Sequence, residues 1–338
     1  MKKRIYILYT GGTIGMKRSP KGYVPMAGLA DLISQKIPIH LSANMPEYVL
    51  EELDELIDST NATPSDWRQI ASRVKDNYHQ YDGFIILHGT DTLAYTSSAL
   101  SFMLQGLQKP VIVTGSQIPL SELRNDAQDN LITALILASH YALPEVCLYF
   151  NGRLLRGNRA TKVKSSGFDA FDSPNHPWLG KVGIHIEVES SSVLPPSKNK
   201  ENFQLPDYGS NRIVPIRLFP GIDAAFLQHL LKFPIDGVIL QSYGVGNAPD
   251  RDPEFLRTLE KAIKAGTVVV NLSQCTYGRV EAMSYATGSA LAQTGIANGF
   301  DMTLEAASTK MHHLFATGLK ADVIAQKMET SLCGELSR

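Results

Sequence analysis

Two short turns hold the side chains with the widest chemical scope. His88-Gly89-Thr90-Asp91-Thr92 packs two hydroxyls, a carboxylate and an imidazole into five residues. Thr10-Gly11-Gly12-Thr13-Ile14-Gly15 sets a threonine among glycines, which let backbone amides approach a ligand closely. A phosphate cradle is one chemistry open to such a turn. That signal is weak, because neither G-x-x-x-x-G-K-[ST] nor G-x-G-x-x-G spacing occurs there and no helical pattern follows. For the 88–92 turn, Thr90 or Asp91 as a plain helix cap is the competing explanation. Taken alone, the cap is the simpler account.

The surrounding elements bear on that choice. Residues 84–87, Phe-Ile-Ile-Leu, form a continuous apolar run, the pattern of a parallel strand buried on both faces. Leu93, Ser97, Leu100 and Leu104 then share one face of a helix. Further strands are expected at 5–9, 48–53, 111–114 and 146–150, and helices at 27–35, 64–78 and 122–140. Thr63, Pro64 and Asp66 read as an N-cap, a first-turn proline and the acidic member of a capping box. Asp58, Ser59 and Thr60 precede that cap and read as turn formers. Residues 16–25 set Pro20, Gly22 and Pro25 around charged side chains and Tyr23, the composition of a mobile hairpin or loop that could cover a site. Tyr23 as an aromatic covering the loop base is equally compatible.

Strands alternating with helices, each strand ending in a Gly/Ser/Thr-rich turn, predict a doubly wound, flavodoxin-like, mostly parallel sheet. Its polar turns, including Gly115-Ser116-Gln117 and the stretch 151–162, then share the rim where open α/β sheets bind ligands. Residues 190–211 change character, with Ser190-Ser-Ser192, Pro195-Pro196 and Lys198-Asn-Lys-Glu-Asn202 reading as a linker. It separates an N-terminal α/β domain, 1–189, from a smaller C-terminal α/β domain, 212–338. In the latter, strands are expected at 213–219, 237–241 and 268–272, with helices at 224–232, 254–265, 289–293, 304–316 and 321–329.

Composition narrows the class. With 43% apolar and 19% charged residues, the 338-residue chain has an ordinary soluble make-up. A net charge of -1 argues against nucleic acid or an anionic membrane as partner. No run of about 18 apolar residues occurs, and the apolar stretch after Lys2-Lys3-Arg4 is too short for a secretion signal. Cys147, Cys275 and Cys333 are odd in number and far apart, which predicts reduced thiols in a cytoplasmic protein and no disulfide framework. No His or Cys cluster has metal-ligand spacing, so neither metal nor cofactor is expected.

The two turns, in this order and followed by Gly157-Asn-Arg-Ala-Thr-Lys162, resemble the motifs and the lysine of bacterial-type L-asparaginases. The resemblance spans essentially the whole chain. Asp58-Ser59-Thr60, Gly115-Ser-Gln-Ile-Pro-Leu120 and Ser242-Tyr-Gly-Val-Gly-Asn-Ala-Pro249 are similar to the cytoplasmic type I branch. Pro249 stands where the secreted branch carries an asparagine that a neighbouring subunit lends to the site.

The resemblance implies a cofactor-free amidohydrolase that converts L-asparagine to L-aspartate and ammonia by acyl transfer. A threonine hydroxyl is a poor nucleophile at neutral pH and needs an adjacent base. Thr13 would attack the carboxamide carbon with Tyr23 close by, and Thr90, Lys162 and Asp91 would form the second constellation. A lysine can accept a proton there only if desolvation lowers its pKa. Asp91 would also meet the substrate ammonium and Ser59 its α-carboxylate, with Asp58 and Thr60 shaping that loop and Ser116 lining it. His88 is expected to hold the turn. The family's second, activating asparagine site matches Ser116, Gln117, Thr161 and Cys275, but Gln241 replaces its arginine and removes a bidentate carboxylate partner. A homotetramer built as a dimer of intimate dimers is also implied. The rival readings are the glutaminase-like subunit of a tRNA-dependent amidotransferase and a non-catalytic amino-acid-binding protein on the same scaffold.

Overall fold

The first strand, β1 (Arg4–Tyr9), is followed by an antiparallel hairpin of β2 (Met16–Ser19) and β3 (Gly22–Pro25). The computed structural model describes residues 2–20, 22–26, 28–37, 45–209, 211–281 and 286–338. Contacts divide the chain into two units, Met1–Leu205 and Pro206–Arg338. The first unit continues through α1 (Leu29–Lys36), β4 (Glu47–Glu52), α2 (Pro64–Asn77), β5 (Gly83–Leu87), α3 (Leu93–Met103) and β6 (Leu104–Gln105). Then come β7 (Val111–Thr114), α4 (Ala127–His140), β8 (Val146–Phe150), β9 (Arg153–Arg156), β10 (Thr161–Lys162), β11 (Phe171–Asp172), β12 (Gly180–Val182), β13 (Ile186–Val188) and β14 (Asn202–Phe203).

The main sheet has the order β13-β12-β9-β8-β7-β5-β1-β4. Its parallel members, β4-β1-β5-β7-β8, follow the 2-1-3-4-5 order of a flavodoxin-like sheet, in agreement with the alternation in sequence. Every residue of β5 is buried, as its apolar run requires. One face of the sheet packs Ile5, Ile7, Ile85 and Leu87 against Leu29 and Ile33 of α1 and Leu131 and Leu135 of α4. Helix α2 buries Trp67, Ile70, Ala71 and Val74, and its start is held as predicted: the Asp66 carboxylate accepts from the Thr63 amide at 2.6 Å and hydroxyl at 2.8 Å.

Several expectations need correction. The stretch after β8, expected as a polar strand end, turns back at once as β9, antiparallel to β8. Asn151 and Gly152 take φ of 46° and 81° there, the left-handed pair that a two-residue hairpin favours. Helix α4 starts at Ala127 and not at 122, because the Asp126 carboxylate turns away from its own helix toward earlier loop amides. The expected start of α1 at Ala27 lies outside the described residues, as does Ser210 of the expected linker.

The second unit carries a four-stranded parallel sheet, β15 (Ile213–Arg217), β16 (Gly237–Ser242), β17 (Val268–Ser273) and β18 (Ala297–Asn298), in that order. Strand β15 stops two residues before the expected end, and β18 was not foreseen. Helices α5 (Ala224–Leu230), α6 (Pro253–Lys264), α7 (Ala286–Ala292), α8 (Leu304–Ala316) and α9 (Ala321–Met328) complete it, with an apolar cluster on each face of the sheet.

At the carboxyl edge of the first sheet, the β1 and β5 turns meet backbone to backbone. Gly12 has a φ of 90°, and a Cβ placed on it would stand 2.4 Å from both Cα and N of Gly89. A Cβ on Gly89 would stand 2.5 Å from Ser59 Oγ. Side chains at either glycine would force the turns apart. Gly12→Ala should therefore cost about 1–3 kcal/mol in urea unfolding through overpacking, with strained φ adding to it. Unfolding at the wild-type midpoint would refute this contact.

Candidate active site

Three chain segments are stitched together at this edge. The amide and hydroxyl of Thr10 both donate to the Leu87 carbonyl, at 3.0 and 2.9 Å, and the Ile57 amide donates to the Thr10 carbonyl at 2.7 Å. The Thr92 hydroxyl donates to the Ser59 carbonyl at 2.8 Å. These bonds bring the turns that carry Thr13, Ser59 and Thr90 onto one rim. Thr92 occupies the N-cap position of α3, and neither Thr90 nor Asp91 caps it. The plain-cap explanation of the turn is thereby set aside.

Lys162 reaches this rim from β10, whose ladder with β11 pairs it with Phe171. Its ammonium donates to Thr90 Oγ1 at 3.0 Å and to Asp91 Oδ1 at 2.7 Å. The lysine side chain is 19% exposed and the aspartate 56%, so the pair opens to solvent on the carboxylate side. With Lys162 donating into its oxygen, the Thr90 hydroxyl proton is directed to Gln117 Oε1, a long contact of 3.4 Å. Gln117 Nε2 in turn donates to the Gly167 carbonyl at 2.9 Å. The amides of Gly89 and Thr90 donate to no acceptor among the described residues.

His88 is sealed beneath the turn. Nδ1 lies 2.8 Å from the Gly89 carbonyl and Nε2 lies 3.0 Å from the Thr96 hydroxyl. Burial pushes its pKa down, only partly opposed by the Gly89 carbonyl and the Asp66 charge. A neutral imidazole with both nitrogens engaged is a scaffold group, as expected.

The remaining candidates fall as follows. Asp58 Oδ1 accepts from the Thr60 amide at 3.0 Å and hydroxyl at 2.9 Å, which folds the Ser59 loop. Ser59 is buried, and Ser116 carries a wholly buried hydroxyl with no partner among the described residues. Thr13 is half-buried in a single 3-10 turn. Tyr23 sits on β3 opposite Arg18, is 42% exposed, and makes no hydrogen bond to Thr13. Thr161 and Gln117 belong to the first unit. Gln241, on β16, and the exposed Cys275 belong to the second. All three cysteines are free, and no group of metal-ligating side chains occurs among the described residues. Sequence reasoning assigned Gln117 to the effector site alone and missed its contact with Thr90. It also passed over Asp126 and Asn130, whose only local signal is polar residues four apart at the head of an apolar helix.

Fold and site together define a two-unit α/β protein with a hydroxyl–ammonium–carboxylate cluster at the carboxyl edge of its first sheet. The family model described as Asparaginase, N-terminal, matches residues 4–194, and that of the Glutaminase/Asparaginase C-terminal domain matches residues 212–328. L-asparaginase 1 of Escherichia coli K12 is 49% identical over 336 residues, covering 99% of this chain and 98% of that protein. The crystal structure of L-asparaginase I from Vibrio cholerae superposes with a TM-score of 0.92 at 46% identity, with 100% of each chain covered. The thermostable L-asparaginase from Thermococcus kodakarensis superposes at 0.89 with 33% identity, covering 99% of each chain. The chain belongs to the asparaginase family.

The burial of His88 has a consequence for stability. Its folded pKa lies below the ordinary value of 6.5, so the unfolded chain takes up this proton first as pH falls. Its share of stability is intact above pH 6.5 and erodes below it, by up to about 1.4 kcal/mol per pH unit. His88→Gln should flatten the fall in urea midpoint between neutral and mildly acid pH. An unchanged slope would show that His88 titrates normally.

Proposed function

We propose that this protein hydrolyses L-asparagine to L-aspartate and ammonia, with Thr13 as nucleophile and Thr90, Lys162 and Asp91 as the second catalytic group. The observation that carries the reading is the contact of Lys162 with both Thr90 and Asp91 on a rim shared with the Thr13 turn. L-asparaginases of known name cover nearly the whole chain, which supports the choice of substrate.

In the first half-reaction, Thr13 Oγ1 attacks the side-chain carboxamide carbon and its proton leaves toward Tyr23. The carbon–nitrogen bond breaks, and ammonia departs with that proton. The unpartnered amides of Gly89 and Thr90 are the donors available to the tetrahedral oxyanion. Closing Tyr23 onto Thr13 requires the β2–β3 hairpin to move inward, as lid segments do. In the second half-reaction a water attacks the Thr13 ester. Thr90, its oxygen held by the Lys162 ammonium, orients that water, whose proton passes to Thr13 Oγ1 as the ester bond breaks and aspartate is released. The long contact from Thr90 to Gln117 is weak, which makes redirecting the hydroxyl inexpensive.

Substrate charges are matched on either side. Asp91 uses Oδ1 for Lys162 and has Oδ2 open for the α-ammonium. Ser59, with Asp58 and Thr60 holding its loop, takes the α-carboxylate, and Ser116 lines the pocket floor. Binding a zwitterion in this way leaves neither charge unpaired, which would be costly in a desolvated pocket. Gln117, Thr161, Gln241 and Cys275 correspond to the family's effector site, and a glutamine at 241 lacks the guanidinium fork that grips a carboxylate. Velocity against asparagine should accordingly be hyperbolic. We assign the working form to a cytoplasmic homotetramer, a dimer of intimate dimers, with no nucleic-acid or membrane partner. The net charge of -1 and the exposed Phe219, Phe226, Phe233 and Tyr277 of the second unit support that assignment.

Thr13→Ala should lower ammonia release from asparagine at least about a thousandfold while the circular dichroism spectrum stays unchanged. Near-normal turnover in that variant would remove Thr13 as nucleophile. Lys162→Met should slow the second half-reaction, so that intact-mass spectrometry with asparagine present detects an aspartyl adduct. Full activity without an adduct would rule out the role given to Lys162.

A further inference from the structure

We propose that Asp126 is a positioning residue whose buried carboxylate pins the 117–121 segment as a strut between the Thr13 turn and the Thr90–Lys162 group. The inference rests on the asparaginase reading and adds a residue that touches neither substrate nor reacting atoms. Asp126 stands at the head of α4 yet makes no side-chain cap to it. Its carboxylate faces the preceding loop. The Gln117 amide donates to both its oxygens, at 2.9 and 3.1 Å, and the Ile118 amide donates at 2.9 Å. Asn130, one turn further along α4, donates to the same carboxylate at 3.3 Å and to the Gly115 carbonyl at 3.0 Å. Its own side-chain oxygen accepts from the Asn151 amide at 3.0 Å. Hydrogen bonds to a charged acceptor are roughly twice as strong as neutral ones. The segment is therefore fastened at its first two residues to a helix packed into the main core.

From that fastening the segment reaches both halves of the site. Gln117 meets the Thr90 hydroxyl and also ties the Gly167 carbonyl, on the loop between β10 and β11. Three residues later, the Leu120 amide donates to the Ile14 carbonyl at 3.1 Å. The Ser121 hydroxyl donates to the Met16 carbonyl at 2.9 Å. Ile14 and Met16 bracket the turn immediately after Thr13, at the base of the hairpin that carries Tyr23. One carboxylate thus sets the height of the Thr13 turn and the reach of the Thr90 partner together. Of the groups assigned to the substrate's charges, Ser59 sits on another turn, and Asp91 is held by Lys162 and not by the 117–121 segment. Loosening the strut should therefore disturb the alignment of reacting groups more than substrate binding.

Asp126→Asn removes the charge and turns an NH2 toward amides that are themselves donors. The expected result is a fall in kcat of about ten- to a hundredfold, with KM moving by no more than about twofold. Hydrogen exchange at the Gln117, Ile118 and Leu120 amides should quicken in the same protein. Unchanged kcat, or a rise in KM with kcat intact, overturns the proposal. Ser121→Ala removes only the Met16 contact and should slow the first release of ammonia in single turnover without any adduct building up. Should Asp126→Asn fail to fold, Ser121→Ala decides alone, and an unaltered first turnover overturns the strut. Active wild-type protein with unaltered variants sinks the strut but keeps the asparaginase reading, whereas wild-type protein that releases no ammonia from asparagine sinks both.

Discussion

The closeness of Gly12 to Gly89 is the constraint from which the site follows. Two strands adjacent in a parallel sheet lie about 4.8 Å apart, so turns leaving their ends collide unless side chains are absent at the crossing. Here both crossing residues are glycine, and Ser59 fills the remaining space beside them. The reward is that Thr13, one residue past Gly12, and Thr90, one residue past Gly89, are carried out to the same rim. In the mechanism we propose, a nucleophile and a water-orienting hydroxyl on separate but touching turns then serve one substrate in succession.

The electrostatics of the rim complement that arrangement. Lys162 is held between a hydroxyl and a carboxylate, and the carboxylate is open on its far side. The cation is therefore neutralised without sealing the carboxylate away from an incoming ammonium group. In the mechanism we propose, the cation beside Thr90 and the charge that meets the substrate ammonium are linked through a single residue, Asp91. Beneath them His88 stays neutral because burial disfavours its charged form, and it contributes shape to the turn without adding a second cation.

What could be read from the chain reflects the range over which each feature is encoded. The buried strand at 84–87 and the Thr63–Asp66 cap arise from a local apolar run and turn chemistry, and the parallel sheet follows from strands alternating with helices. Strand β9 was missed although Asn151-Gly152 signals a hairpin, because a strand of four residues carries too little pattern to stand out from a polar loop. Lys162 meets Thr90 across 72 residues of sequence, and no periodicity near either residue announces that contact. Resemblance to a family named the lysine; composition and spacing did not. Asp126 was hidden for the opposite reason. An aspartate at the head of a helix looks like a cap, and only the three-dimensional loop reveals that its carboxylate serves other amides.

The central claim is that two touching turns supply one acyl transfer, with Thr13 forming the ester and Thr90 with Lys162 clearing it. Peptide mapping by tandem mass spectrometry, on Lys162→Met protein quenched during exposure to asparagine, tests that division most directly. An aspartyl ester on the peptide carrying Thr13, with the Thr90 peptide unmodified, is the expected result. An ester on Thr90, or on neither threonine while turnover continues at the wild-type rate, would contradict it.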